Sequence, residues 1–226
     1  MQLRLFALFC AALWPVLAQA NDRPFLLTSN AVAEEDDDEV WSVETWWQRA
    51  GSAQAFTVAP EYAFNPTTSV QFEFSRGSGK TNALEVEFKH LFNHIARDGW
   101  GWGIDLSVGT GSAGSSKWDQ QRVALKLPYS LQLRRGEALL HLNAGVQKQR
   151  GEAREWVYSA AFEHKLPWRS VGFIELGRED RQTLVHAGVR HWIRREKLAL
   201  DFSVQRRTAG DDRSAGAVVG LAWYDL

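Results

Sequence analysis

The last twelve residues read Ala215-Gly216-Ala217-Val218-Val219-Gly220-Leu221-Ala222-Trp223-Tyr224-Asp225-Leu226. In an extended chain Val218, Gly220, Ala222, Tyr224 and Leu226 fall on one face, and Ala217, Val219, Leu221, Trp223 and Asp225 on the other. The spacing predicts a strand that runs to the final residue. Such a strand presents unpaired N–H and C=O groups unless another covers it, and meeting the first strand of its own sheet removes the edge altogether. The expectation is a closed antiparallel sheet.

The same period of two recurs from Trp41 onward, in stretches bounded by Asn65-Pro66, Gly77-Ser78-Gly79, Asp98-Gly99, Arg135-Gly136, Arg150-Gly151 and Gly210-Asp211. About twelve strands are expected, at 41–49, 53–64, 67–76, 81–92, 100–109, 117–133, 137–148, 154–165, 170–178, 182–193, 197–207 and 214–226, the longest bent or divided near Pro128. Most approach the roughly 9 to 11 residues that cross a bilayer at a tilt. An even count puts both termini on one side, read as the periplasm.

In one strand Leu84, Val86, Phe88, His90 and Phe92 share a face opposite Glu85, Glu87 and Lys89. A soluble sandwich turns such an apolar face inward; a membrane barrel turns it to lipid and the charges into the lumen. Three features favour the membrane. Trp41, Trp46, Trp47, Trp100, Trp118, Trp156, Trp168, Trp192, Trp223 and Tyr224 stand near strand ends, where interfacial girdles belong. The connections are too short for helices or long crossovers, as in a meander. Tyr224 and Leu226 together are similar to the C-terminal signature that the outer-membrane barrel-assembly machinery recognises, with leucine in the place usual for phenylalanine. The fold class is therefore all-β, a closed antiparallel up-and-down transmembrane β-barrel of about 12 strands in the bacterial outer membrane.

At the other end Arg4, the apolar residues 5–17 and Ala18-Gln19-Ala20 read as a secretory signal cleaved before Asn21. The single cysteine, Cys10, lies within it behind bulky Phe9, so lipid attachment there is not expected and the mature chain has no thiol. Three parts follow: a signal peptide at 1–20, an acidic periplasmic lead-in at 21–40, and the barrel at 41–226. The lead-in carries Glu34-Glu35-Asp36-Asp37-Asp38-Glu39, whose plain reading is a solvated, poorly ordered segment. The formal net charge is −1 with histidine neutral, and −2 once Arg4 leaves with the signal. That balance does not suggest nucleic acid as a partner. The expected partners are outer-membrane lipid, the assembly machinery through the C-terminal strand, and a small-molecule solute.

Arg23-Pro24-Phe25 followed by Thr28-Ser29-Asn30-Ala31, then Ser42-Val43-Glu44-Thr45-Trp46, then Asn65-Pro66 before an alternating strand, resembles the bacterial outer-membrane family labelled MetA-pathway of phenol degradation. That family reads R-P-F-x-T-D-D-A and Q-x-E-x-W at these places; Ser29, Asn30 and Ser42 depart from it. The resemblance implies a barrel and passage of small hydrophobic or aromatic molecules.

Catalytic patterns are sparse. The histidines, His90, His94, His141, His164, His186 and His191, are scattered over several strands, and no G-x-S-x-G elbow is present. Glu163 and His164 point to opposite faces. Neither H-E-x-x-H nor a cysteine pair occurs, so no metal or cofactor is expected. Gly109-Thr110-Gly111-Ser112-Ala113-Gly114 reads as a flexible inter-strand loop, not a phosphate cradle. No residue is assigned a catalytic role.

The informative set is ionisable and mid-strand: Glu73, Glu85, Glu87, Lys89, Asp105, Arg122, Lys126, His141, Glu163, Glu175, His186, Arg190 and Asp201. Facing hydrocarbon, each base would cost about 2–4 kcal/mol at the midplane. They are expected to face the lumen, where they line a water-filled pore or pair across it and close it. The mixed signs lean toward a narrow or plugged lumen. The functional expectation is a small channel or passive transporter; the alternatives are a closed structural or binding barrel and, third, an outer-membrane enzyme.

Overall fold

The structure, a computed structural model, describes residues 24–32, 39–112, 118, 120–179, 181–209 and 212–226. The signal-peptide reading and most of the acid run lie outside the described residues.

Twelve strands form one closed barrel: β1 Val40–Ala50, β2 Ala53–Asn65, β3 Thr68–Gly77, β4 Thr81–Leu91, β5 Trp100–Ser112, β6 Gln120–Leu133, β7 Ala138–Gln149, β8 Glu155–Leu166, β9 Ser170–Glu179, β10 Gln182–Arg194, β11 Leu198–Ala209 and β12 Asp212–Trp223. Each strand pairs antiparallel with its sequence neighbours, and β1 pairs with β12 from Val43↔Trp223 to Ala50↔Gly216. The barrel therefore closes through the C-terminal stretch 216–223. Strand β12 stops at Trp223 rather than at the last residue, because Asp225 takes a positive φ of 57° that an extended strand does not accommodate. Main-chain bonds continue past it, from Tyr224 N–H to the Lys197 carbonyl and from Leu226 N–H to the Trp41 carbonyl, both 2.9 Å.

Two expectations about the strands change. Residues 109–112, read as loop, continue β5, with Gly111 opposite Gln120 and Ser112 opposite Asn82. Strand β6 runs through Pro128 undivided. Proline lacks the N–H that a ladder needs on one side only. The β6–β7 register is unbroken at Pro128↔Asn143, while β5–β6 pairing lapses between Trp102↔Tyr129 and Asp105↔Lys126. Pro60 does the same in β2, keeping its pairing with Val43 while β2–β3 lapses between Val58↔Phe74 and Glu61↔Gln71.

Burial alternates with the strand period, and its sense is that of a membrane protein. In β3 Gln71, Glu73 and Ser75 are buried while Phe74 is half exposed; in β11 Asp201, Ser203 and Gln205 are buried while Phe202 and Val204 are exposed. Polar side chains inside and apolar ones outside invert the soluble pattern. Trp41, Trp100, Trp102 and Trp223 are exposed at the end of the barrel that carries the termini, as a girdle requires. Trp46 and Tyr224 depart from the girdle reading, since both are buried in the interior. Trp46 shares its face with Glu44 and Gln48, so its parity points inward.

Candidate functional site

The interior of the barrel is the candidate site, and the largest departure from the sequence reading lies there. Residues 24–32, expected to be a solvated lead-in, are packed inside the barrel, with Phe25, Leu26, Leu27, Thr28, Ser29 and Ala31 all buried. The reason is a match between the segment's main chain and inward-facing polar side chains. Glu175, in the middle of β9, accepts the N–H groups of Leu26 (2.9 Å), Leu27 (2.8 Å) and Thr28 (2.7 Å) on one carboxylate. Successive N–H groups converging on an anion form a concavity of the kind that binds phosphates, here with the anion supplied by the barrel. Asn143 of β7 accepts from Ser29 N–H and donates to the Ser29 carbonyl. Ser130 of β6 accepts from Ala31 N–H at 2.7 Å, and the Thr28 hydroxyl donates to Ser159 of β8. The segment thus steps across the β9, β8, β7 and β6 walls and reaches Val32 beside Asn65, Ser69 and Lys89, at the termini end.

Apolar contacts complete the seat. Leu26 and Leu27 pack with Trp46, Ala59, Leu184 and Val218, from β1, β2, β10 and β12, so the segment spans the lumen rather than lining one wall. Phe25 packs with Ala161 and Phe173, edge-on to Phe173 at 5.7 Å and 5.3 Å from the His141 ring. Two glycines make the space. A Cβ on Gly101 would overlap the Ala31 carbonyl, and one on Gly177 would stand 2.8 Å from Leu27 Cδ1.

Twelve of the thirteen ionisable residues singled out from the sequence are buried: Glu73, Glu85, Glu87, Lys89, Asp105, Arg122, Lys126, His141, Glu175, His186, Arg190 and Asp201. Glu163 is partly exposed, 3.9 Å from His141. The structure gathers them into clusters. Arg122 bonds both Glu85 oxygens (3.0 and 3.1 Å) and Glu179 (2.9 Å). Gly109 stands between Glu85 and Arg122 in the register, and its missing side chain lets the pair meet two strands apart. Arg190 forks onto Asp201 (2.8 and 3.0 Å) and donates to the Tyr224 hydroxyl, which donates to Glu44 at 2.6 Å. Lys126 lies 3.9 Å from Asp105. Sequence reasoning missed Glu44, Glu61 and Glu179, although each sits at an inward parity position. With them, nine buried acids stand against four buried bases among the described residues.

One arrangement resembles a hydrolytic relay. His186 Nδ1 lies 2.9 Å from Glu175 and its Nε2 lies 2.7 Å from the Ser203 hydroxyl, the acid–base–nucleophile order of a triad. The same carboxylate is occupied by three main-chain N–H groups of the segment. Among the described residues no group of His, Cys, Asp and Glu side chains is arranged to hold a metal ion.

No family model matches the chain, and no curated protein matches it. Solved structures do. The KdgM porin in complex with disordered oligogalacturonate aligns with a TM-score of 0.66 at 11% identity, over 80% of this chain and 98% of that one. The NanC porin aligns at 0.59 and 8% identity, over 82% and 100%. The Acinetobacter baumannii outer membrane protein Omp33 aligns at 0.57 and 7% identity, over 84% and 99%. The fold is that of a bacterial outer-membrane barrel. Its apolar outer surface and polar interior place the chain in that membrane by the same physics.

Proposed function

We propose that the protein is a small channel or passive transporter whose lumen prefers cationic or neutral solutes and is held closed by residues 24–32. The observation that carries this reading is the excess of buried acids over buried bases along a lumen that a hydrogen-bonded segment fills. Rings of acidic side chains favour cations in pores. The oligogalacturonate named with KdgM is a polyanion, and this interior is of the wrong sign for one. The resemblance in residues 23–31 adds hydrophobic or aromatic molecules to the neutral class, and Phe173, Leu184 and Val218 supply apolar wall surface beneath the segment.

Single-channel recording of the refolded mature barrel in planar bilayers tests the proposal. The intact chain is expected to be silent or to open rarely, and Gly101→Ala, whose new methyl would overlap the Ala31 carbonyl, is expected to produce discrete cation-selective steps. A folded Gly101→Ala barrel that stays silent would instead favour a closed binding or structural barrel.

A second reading rests on the Glu175–His186–Ser203 contacts and makes the protein a lumenal serine hydrolase. Labelling of Ser203 by a fluorophosphonate, abolished by His186→Ala, would support it; an unlabelled, folded protein would reject it.

A further inference from the structure

The two ends of the lipid-facing surface are finished differently. At the termini end the outward faces close with aromatic residues, Trp41, Phe64, Phe92, Trp100 and Trp223 among them. At the opposite end six strands carry an exposed base on the outward face, directly in line with apolar residues: Arg49 beyond Trp47, Arg76 beyond Phe74, Lys148 beyond Val146, Arg178 beyond Leu176, Arg206 beyond Val204 and Arg213 beyond Ala215. Among the described residues no carboxylate stands on the outward strand face at this level. Bases at the termini end are arranged otherwise. Arg97, Arg195 and Lys197 stand in connections and are bridged to Asp98, Glu196 and Asp225, and Arg134, Lys165, Arg169 and Arg194 are exposed in or beside the turns rather than in line with the outward apolar faces.

The consecutive hairpins β9 to β12 concentrate half of the collar. The register places Arg178 opposite Thr183, Thr183 opposite Thr208 and Thr208 opposite Arg213, while Arg206 lies opposite Ala215, diagonal to Arg213. Arg178, Arg206 and Arg213 therefore share one outward patch across β9 to β12, while Arg181, in the β9–β10 turn beside it, is bridged to Glu155 at 3.3 Å. Arg206 and Arg213, diagonal neighbours on adjacent strands, repel one another unless an anion stands between them. Guanidinium groups bind phosphate in a planar, bidentate fork. A base one step beyond the hydrocarbon-facing residues sits at the depth of lipid headgroups, with its stem along the apolar surface and its charge in the headgroup layer.

We propose that this collar is a docking surface for the phosphorylated headgroups of the outer-leaflet lipid, with the Arg178–Arg206–Arg213 patch as its main site. The termini then face the periplasm, and the asymmetric finish of the barrel matches the asymmetry of the membrane. The site is independent of the lumen and of any solute.

The test is lipid retention by the intact refolded barrel, measured by native mass spectrometry in detergent with bis-phosphorylated lipid A and with its dephosphorylated form. The wild-type barrel is expected to retain the phosphorylated lipid and release the other. Replacing Arg178, Arg206 and Arg213 together by glutamine is expected to weaken retention about 100-fold, taking roughly fivefold for each charge near an anionic surface, and replacing them by lysine to weaken it much less. The shift of electrophoretic mobility on heating confirms that each variant is folded. Glutamine substitutions of Arg97, Arg195 and Lys197 at the other end are expected to change nothing. Equal retention of the two lipids by the wild type, or retention unchanged in a folded glutamine variant, overturns the proposal.

Discussion

Glu175 is the residue on which the interior turns. A buried carboxylate is costly unless hydrogen-bonded, and each bond it accepts from a main-chain N–H contributes about 1.5–3 kcal/mol. With three such bonds on one side chain, Glu175→Ala is expected to release the segment without unfolding the barrel. Amide hydrogen exchange at Leu26, Leu27 and Thr28 should speed by at least about 100-fold, while exchange in β9 and β10 stays slow; unchanged rates would show that the apolar contacts alone hold the segment. Arg122 plays a different part. Removing it strands Glu85 and Glu179 inside the barrel, and Arg122→Met is expected to cost about 3–5 kcal/mol in urea unfolding from lipid vesicles. The double substitution Arg122→Met with Glu85→Gln should recover part of that loss.

Each strand has one face for lipid and one for the lumen, and substitutions should respect that division. Phe88 is exposed between Val86 and His90 on the outward face of β4. Phe88→Arg is expected to destabilise the barrel by about 2–4 kcal/mol near the midplane, whereas Arg76→Gln, at the headgroup level, should cost little. Because the only cysteine lies at position 10, a Phe88→Cys variant of residues 21–226 reports a single site. It is expected to resist water-soluble maleimide in membranes, and rapid labelling would place β4 in the wrong orientation. The strands were legible because a period of two is a local property: the boundaries at 53, 81, 100, 170 and 182 coincide with Ala53, Thr81, Trp100, Ser170 and Gln182 of the structure. Trp46 was misread because proximity to a strand end was weighed above parity, although Glu44 and Gln48 on either side already pointed it inward.

At the scale of the whole barrel, the segment and the lumen should act as one gate. Deleting residues 24–32 is expected to yield a folded, heat-modifiable barrel with larger and more frequent conductance steps than the intact chain, and reversal potentials in a salt gradient should show cation preference. Equal silence before and after deletion would mean that the ion pairs about Arg122 and Arg190 close the lumen by themselves.

What the amino-acid order determined alone is the strand count and the closure of the last strand on the first. The count follows from alternation, a local property, and the closure from the unpaired edge that the last strand would otherwise present. The seat of residues 24–32 needed the tertiary structure, because its partners Ser130, Asn143, Ser159 and Glu175 lie 99 to 149 positions away and nothing local marks Phe25-Leu26-Leu27 as lumenal. The basic collar needed it too. Arg49, Arg178, Arg206 and Arg213 are ordinary strand-end bases in a nearly neutral chain; the register of β9 to β12 gathers three of them, and closing the sheet on β1 adds Arg49 to the same rim.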